Sequence, residues 1–411
     1  MVFQEEIDQY LNGLKEEWLA ASDAFPDFLP AVSKEKKLEN EAYAKRVSEM
    51  FYQQTDRLPR LPIGRKKWKK KTLDIIFEVL YQERIIGIHD AMKPAEIDAF
   101  YNELMDFLKA VRLFSPELRF GEIGQAVRNY IVYAMFKVIH QVESGFSKAG
   151  FGYSMLYPFT DNYIDSGEPS SDKKKEYNQL IRDKLLGKEI HPSCMHFKKT
   201  CDLLQAIASD YPREKDDRIY TLLLMMLKAQ EDSLHQQSSD HLLSVEERLN
   251  ISLKKGGISV LVDRFLVNKE LTAEDLHFYL GFGFFLQLAD DLQDIGEDSQ
   301  KGYQTLFTVN LSPEKEEKLA NKLLHFLHHI MGAYSAENDT FKNFVMVSSD
   351  QLVLTSMLRS KAFFTPQYRS QMEQFLPVTA SYLETASANS PEQQNKKVQD
   401  NYIKVLDLLL S

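Results

Sequence analysis

The chain has 411 residues, of which 44% are hydrophobic and 27% are charged, and its net charge is −10. This is the composition of a globular protein with enough apolar side chains for a substantial core. The acidic balance argues against general nucleic-acid binding. No apolar run reaches the roughly 18 residues of a transmembrane helix.

The N-terminus and the cysteines indicate the cellular compartment to expect. The N-terminus, MVFQEEIDQY, is acidic early and lacks the charged-then-apolar order of a signal peptide. The two cysteines, Cys194 and Cys201, suit a reducing environment and offer no disulfide framework. We therefore expect a cytoplasmic protein.

Apolar residues recur at helical spacing along most of the chain, and no series of alternating strands with hairpin turns is present. The 17 glycines and 14 prolines are few for this length. The pattern predicts an all-α fold. The expected helices cover residues 3–22, 38–54, 72–87, 95–113, 121–142, 174–187, 194–209, 216–236, 244–267, 272–297, 313–334, 340–362, 366–386 and 392–410.

The sequence shows no internal repeat and no linker long enough to require separate domains. We expect residues 116–411 to form one helical core. Residues 1–115 are expected to form an N-terminal helical extension packed on that core.

The segment Arg57–Lys71 is the one strongly cationic part of this acidic chain. Contact with the phosphate-rich surface of a membrane is one hypothesis for it. A solvated loop and helix start is the alternative. The basic residues, which surround Trp68, are Arg57, Arg60, Arg65, Lys66, Lys67, Lys69, Lys70 and Lys71.

Asp161 and Asp165 form an acidic pair with the i, i+4 spacing that places two side chains on one face of a helix. Pro158 lies so close that a helix must start or kink there. A polar turn is the alternative, because Asp, Asn, Ser and Gly are common turn residues.

Three basic residues, Lys254, Lys255 and Arg264, precede a second acidic segment. The pair Gly256–Gly257 is expected to break or bend the helix that carries them, and to permit close approach of a neighbour. Lys binds phosphate as a point charge and Arg binds it through two hydrogen bonds. A solvated basic helix turn is the alternative.

The second acidic segment is the most informative part of the sequence. Asp290, Asp294 and Asp298 recur every four residues, which stacks three carboxylates along one helix face. Like charges at this spacing repel, and a divalent cation with oxygen ligands would remove the conflict. The preceding residues are apolar, so the helix is expected to be buried before it becomes acidic. We call this the acidic face; it comprises Asp290, Asp291, Asp294, Glu297 and Asp298.

Lys301 and Gly302 follow the acidic face, as a cation and a glycine typically do at a helix end. Two acidic segments on separate helices can clamp metal ions between them. Magnesium is typically shared between one or two carboxylates and substrate phosphates. The pattern predicts a site for Mg²⁺ and an anionic, apolar substrate.

Two Asp-rich segments, far apart in an all-helical chain, resemble the class I terpenoid synthase superfamily. Leu286-Gln-Leu, Leu292, Asp294 and Gly296-Glu-Asp298 are similar to the second motif of squalene and phytoene synthases, with Asp290 where Asn is usual. Asp161 to Asp165 resembles the DxxxD first motif. Asn162-Tyr-Ile-Asp165-Ser also resembles the DYLDN-type motif of bacterial large-terpene synthases, such as tetraprenyl-β-curcumene synthases. The resemblance covers roughly residues 120–365.

The resemblance implies a class I helical bundle in which Asp161, Asp165, Asp290, Asp294 and Asp298 hold several Mg²⁺ ions. Lys254, Lys255, Lys301 and Arg264 would then bind the diphosphate of a prenyl substrate, expected to have fifteen or more carbons. The implied reaction is ionisation followed by cyclisation or proton loss.

Two departures bear on the alternatives. The first motif is far from the N-terminus, and Gln293 stands where head-to-head synthases carry Arg. Both favour a cyclising or eliminating enzyme over one that joins two prenyl diphosphates, which is the alternative. A non-catalytic helical protein that binds isoprenoids is the third hypothesis. Whether the chain forms a homodimer stays open.

Overall fold

The computed structural model describes residues 2–59, 61–83, 85–166, 169–237, 241–309, 312–388 and 396–411. All regular elements in these ranges are helices, and no strand occurs within them, so the predicted all-α class is confirmed. The α-helices are α1 (Val2–Ala20), α2 (Lys34–Asp56), α3 (Pro62–Gln82), α4 (Ile88–Ala91), α5 (Pro94–Phe114), α6 (Phe120–Ile139), α7 (Lys148–Asp165), α8 (Ser171–Leu185), α9 (Met195–Asp210), α10 (Arg218–Ser233), α11 (Val245–Asn268), α12 (Ala273–Gln293), α13 (Ile295–Lys301), α14 (Pro313–Ala333), α15 (Asp339–Arg359), α16 (Pro366–Met372), α17 (Ala380–Ala388) and α18 (Lys396–Leu410).

Three predicted helices differ from the structure in their bounds, namely residues 72–87, 366–386 and 272–297. The predicted start at residue 72 is ten residues late, because α3 begins at Pro62, and proline suits the first turn of a helix. The predicted helix 366–386 is two helices, α16 and α17, joined through a 3-10 turn at Glu373–Phe375. The predicted helix 272–297 ends at Gln293, and a short helix, α13, follows it.

Helix α7 was not predicted, because its glycines and Pro158 are usually helix breakers. Pro158 lies inside the helix. The glycines serve packing: a Cβ on Gly150 would lie 2.8 Å from the Tyr133 ring, and one on Gly152 would lie 2.6 Å from the Leu203 carbonyl oxygen. Glycine at these positions lets α6 and α9 approach α7 closely. Helix α7 continues to Asp165, so Asp161 and Asp165 both lie on a helix.

The centre of the molecule is an antiparallel pair, α11 and α12. Helices α6, α7 and α10 pack on α11, while α14 and α15 pack on α12. Helix α1 packs on both and contributes Ile7, Leu11, Leu14 and Trp18 to the common core. The N-terminal segment therefore begins inside the core, and the predicted boundary at residue 115 stays a prediction.

Glycines allow the backbones of α11 and α12 to touch. A Cβ on Gly256 would lie 2.3 Å from the Gly283 carbonyl oxygen, and one on Gly283 would lie 2.2 Å from the Gly256 carbonyl oxygen. Helix α11 continues without interruption through Gly256 and Gly257. The glycine pair therefore does not break the helix, a bend there stays a prediction, and the predicted close approach is confirmed.

No helix among the described residues has the length and apolar character needed to cross a bilayer.

We expect Gly256→Ala and Gly283→Ala each to lower the free energy of unfolding by about 2 kcal/mol. Overpacking costs about 1–3 kcal/mol or more, and the better helix propensity of Ala returns up to about 1 kcal/mol. Urea denaturation measures the effect.

The matched control is Gly13→Ala in α1, where the added Cβ would meet nothing within 4 Å. This variant should be unchanged or slightly more stable. Equal stability of all three variants would contradict the steric role of the central glycines.

Candidate functional site

The three spaced carboxylates of the acidic face stay in helical register although α12 ends before the last two. The Asp294 amide donates to the Asp290 carbonyl oxygen at 2.9 Å, and the Asp298 amide donates to the Asp294 carbonyl oxygen at 2.9 Å. Asp294 is therefore the junction between α12 and α13. The predicted stacking along one face is present.

Asp290 lies among charged neighbours. Its side chain is exposed to water, yet loss of solvation to the surrounding protein raises its pKa above the ordinary range. The positive charges of Lys255 on α11 and Arg128 on α6 partly offset that rise. Helices α6 and α11 therefore bring positive charge toward the acidic face.

Repulsion between the carboxylates adds to the effect of burial on the pKa values of Asp294 and Asp298. Burial, followed by the charges of Asp290 and Asp298, raises the pKa of Asp294 to about 6. Burial and the charge of Asp290 also raise the pKa of Asp298 to about 6, against the opposing charges of Lys301 and Lys255. The acidic face is thus electrostatically costly when it carries no cation.

Asp291 is the buried member of the acidic face. Its oxygens accept hydrogen bonds from Gln287 Nε2 at 2.9 Å and Ser252 Oγ at 3.5 Å. Burial and the charge of Asp290 raise its pKa to about 7, although the Gln287 hydrogen bond acts in the opposite direction. Asp291 therefore anchors α12 to α11 below the exposed carboxylates.

The two adjacent lysines of α11 face different sides. The positive charge of Lys255 lowers the pKa values of Asp290, Asp291 and Asp298. Lys254 lines a separate groove, together with Asp232, His235 and Glu247. The structure brings Lys255, and not Lys254, to the acidic face.

Arg128 was not among the predicted site residues. It lies one turn beyond Gln125 on α6, and Gln125 accepts a hydrogen bond from Asn162 Nδ2 on α7 at 3.1 Å. Helix α6 therefore connects the first acidic segment with the second. A lone Arg on an amphipathic helix has no distinctive sequence signal, so only the fold could identify it.

Asp161 lies at the polar end of an apolar cavity of about 60 Å³. The Thr160 hydroxyl donates to its carboxylate at 2.9 Å. Polar side chains at the same cavity are Tyr153, Tyr157, Thr160 and Gln230; the apolar ones are Leu156, Ile164, Ile181, Leu185, Leu204, Leu223, Met226 and Leu227. Asp165 is the last residue of α7, and its side chain lies outside the described residues.

The polar end of the cavity is tied to α11. Tyr153 donates its hydroxyl to the Ser259 carbonyl oxygen at 3.0 Å, and the Tyr157 hydroxyl contacts Ser259 Oγ. Ser259 lies one turn beyond Lys255 on the same helix. Two tyrosines that line the cavity are therefore hydrogen-bonded to the helix that also carries Lys255.

Arg264 and Lys301 are the two remaining residues predicted to bind the diphosphate, and both form ion pairs within the protein. Arg264 is 2% exposed, and its guanidinium donates to the Asp275 carboxylate at 3.0 and 3.2 Å. It joins α11 to the start of α12 and is not brought to the acidic face. Lys301 is exposed and forms an ion pair with Glu297, which raises the pKa of Lys301.

The donor set fits magnesium bound together with a substrate. Among the described side chains, no three His, Cys, Asp or Glu residues converge tightly enough to hold a metal ion alone. Magnesium requires only one or two carboxylates when phosphate oxygens and water complete its shell. The repelling carboxylates Asp290, Asp294 and Asp298 supply hard oxygen donors that such an ion would stabilise.

Comparisons of the chain with protein-family models, with curated proteins and with solved structures found no match. The resemblance to class I terpenoid synthases stays a prediction based on the motifs.

We expect metal-free protein to lose stability from this site as pH rises. Acids with raised native pKa values bind more protons when folded, so the native state is penalised progressively between the unfolded pKa near 4 and the native values of about 6 to 7. Asp291→Asn should remove part of this penalty. Its stability advantage over wild type should grow by about 2 kcal/mol between pH 5 and pH 8.

Thermal melts in EDTA across pH 5–8 provide the measurement. Mg²⁺ added together with inorganic diphosphate should raise the melting temperature of the wild type more at pH 8 than at pH 5, because the carboxylate ligands must be deprotonated. A stability difference between Asp291→Asn and wild type that does not change with pH would contradict the interpretation.

Proposed function

We propose that the protein is a Mg²⁺-dependent class I terpene synthase that ionises a prenyl diphosphate. The proposal is supported chiefly by one arrangement: repelling carboxylates lie within electrostatic range of Lys255 and Arg128, and two tyrosines of an apolar cavity are hydrogen-bonded to the helix that carries Lys255. Cations and carboxylates together suit a metal–diphosphate complex. The apolar cavity suits a hydrocarbon chain.

The diphosphate would lie between the acidic face and the basic side chains. Lys255 provides a point charge and Arg128 a planar group able to bind two phosphate oxygens. Magnesium bound by Asp290, Asp294 and Asp298, with Asp161 and Asp165 across the site, would withdraw charge from the leaving diphosphate. In this proposal the acidic face attracts the metal, and the basic residues hold the anion.

The cavity would hold the prenyl chain and exclude water from the cation formed on ionisation. The rings of Tyr153 and Tyr157, 5.8 Å apart between centroids, offer aromatic faces at its polar end. A volume of 60 Å³ holds roughly five water molecules, so a chain of fifteen carbons requires the walls to move apart. Met226 is a flexible wall residue suited to that movement.

The test is incubation of the purified protein with Mg²⁺ and separate C10, C15, C20, C25 and C30 prenyl diphosphates. Released diphosphate is quantified, and extracted hydrocarbons are analysed by mass spectrometry. A product with the carbon count of its substrate supports the proposal. A doubled count identifies a coupling enzyme instead, and no release from any substrate contradicts both.

We expect Asp294→Ala and Asp298→Ala to abolish diphosphate release, because each removes a metal ligand. Losses of at least a hundredfold in kcat are expected for electrostatic groups of this kind. Asp202→Ala, an exposed acid on α9, is the control and should retain full activity. Turnover at the wild-type rate in either site variant would contradict the assignment of these residues.

Adjacent lysines on α11 allow a second matched comparison. Lys255→Gln should raise KM for the prenyl diphosphate roughly tenfold or more, because one charge-assisted contact contributes about 1.5–3 kcal/mol. Lys254→Gln removes the same charge from a side chain that faces another groove, and its KM should stay near the wild-type value. Steady-state kinetics of the two variants measure the difference, and equal effects would contradict the placement of the diphosphate.

A further inference from the structure

Helix α3 presents one exposed face that is both basic and aliphatic. Ile63, Lys66, Lys67 and Lys70 follow the i, i+3, i+4, i+7 pattern that places side chains on one side of a helix. The opposite side holds Trp68, Thr72 and Ile75, which are buried. Trp68 Nε1 donates to the Gln54 carbonyl oxygen at 3.0 Å and fixes α3 against α2. We call the exposed side the α3 face.

Large aliphatic side chains protrude at the start of this face. Ile63 is 94% exposed and Leu61, directly before the helix, is 69% exposed. Exposed aliphatic residues are common when scattered singly, but these two are adjacent to a block of cations. Their exposure costs solvation free energy that contact with an apolar phase would recover.

The α3 face carries a cluster of positive charge. No ion pair to a described residue involves Lys66, Lys67 or Lys70. The sequence has no acidic residue between Asp56 and Asp74. The first turn of α3 carries no acid, and its N-cap residue Leu61 makes no side-chain cap. Cations near an uncapped helix N-terminus are unfavourable, and an external anion would neutralise them.

We propose that the α3 face docks the protein on an anionic lipid bilayer. Lys66, Lys67 and Lys70 would contact the headgroup phosphates, while Leu61 and Ile63 would insert among the acyl chains near the interface. The protruding aliphatic pair favours a bilayer over nucleic acid, whose backbone offers no apolar phase. The net charge of −10 also disfavours nucleic acid.

The inference is independent of the proposed catalytic function, because it uses no residue of the acidic face. If both hold, docking would place the enzyme at the surface where a long-chain, apolar substrate partitions. If the substrate is instead soluble in water, the proposed docking on the bilayer still holds.

The experiment is flotation of the full-length protein with phosphatidylcholine vesicles that contain either no phosphatidylserine or 30% of it. The wild type should float with the anionic vesicles and not with the neutral ones, and binding should weaken as salt increases. The triple variant K66Q/K67Q/K70Q should bind about a hundredfold more weakly, since each lysine near the surface contributes about fivefold. Ile63→Asn should bind roughly tenfold more weakly, because it removes the inserted side chain.

The matched control is K173Q/K174Q/K175Q, which makes the same change in net charge at the start of α8. This variant should bind like the wild type, and thermal melts should show all variants folded. Equal losses in both triple variants would overturn the proposal in favour of non-specific charge attraction. The proposal is also overturned if the wild type does not float with the anionic vesicles. It is likewise overturned if duplex DNA displaces the protein from vesicles and binds it more tightly than they do.

Discussion

The contact between the backbones of α11 and α12 determines the geometry of the candidate site. Neither Gly256 nor Gly283 has room for a Cβ, because the carbonyl oxygen of the opposite glycine lies too close. This contact holds Ser252 against Asp291 and sets Lys255 opposite Asp290. At the other end of the pair, the buried Arg264–Asp275 ion pair fixes the register. The chemistry of the acidic face therefore depends on residues that carry no side chain.

The acidic face lowers the stability of the fold. Loss of solvation raises the pKa values of Asp290, Asp294 and Asp298, and repulsion between carboxylates adds to the rise for Asp294 and Asp298. The positive charges of Lys255 and Arg128 partly offset the rise at Asp290. An arrangement of this kind is stabilised best by a ligand that carries both a cation and an anion, and a metal diphosphate has that composition.

The sequence predicted the helical class, the register of the acidic face and the close approach at Gly256, because each depends on local spacing. It missed α7 because the glycines there serve packing against Tyr133 and Leu203, which are distant in sequence. It could not separate Lys254 from Lys255, since that distinction depends on which neighbour each side chain meets. Arg128 was missed for the same reason: its role comes from the packing of α6 beside α7 and α11.

The cavity is lined by α7, α8, α9 and α10, whereas the acidic face lies on α12 and α13. Helices α8, α9 and α10 supply Ile181, Leu185, Leu204, Leu223 and Leu227 to the cavity, and no carboxylate of the acidic face lies on these helices. Under the proposed function, substitutions on α8, α9 and α10 would reshape the apolar wall away from the acidic face, whereas Asp161 on α7 belongs to both the cavity and the proposed metal site. Such a division would give the fold evolutionary modularity: the wall could diverge in substrate size while the acidic face stayed constant.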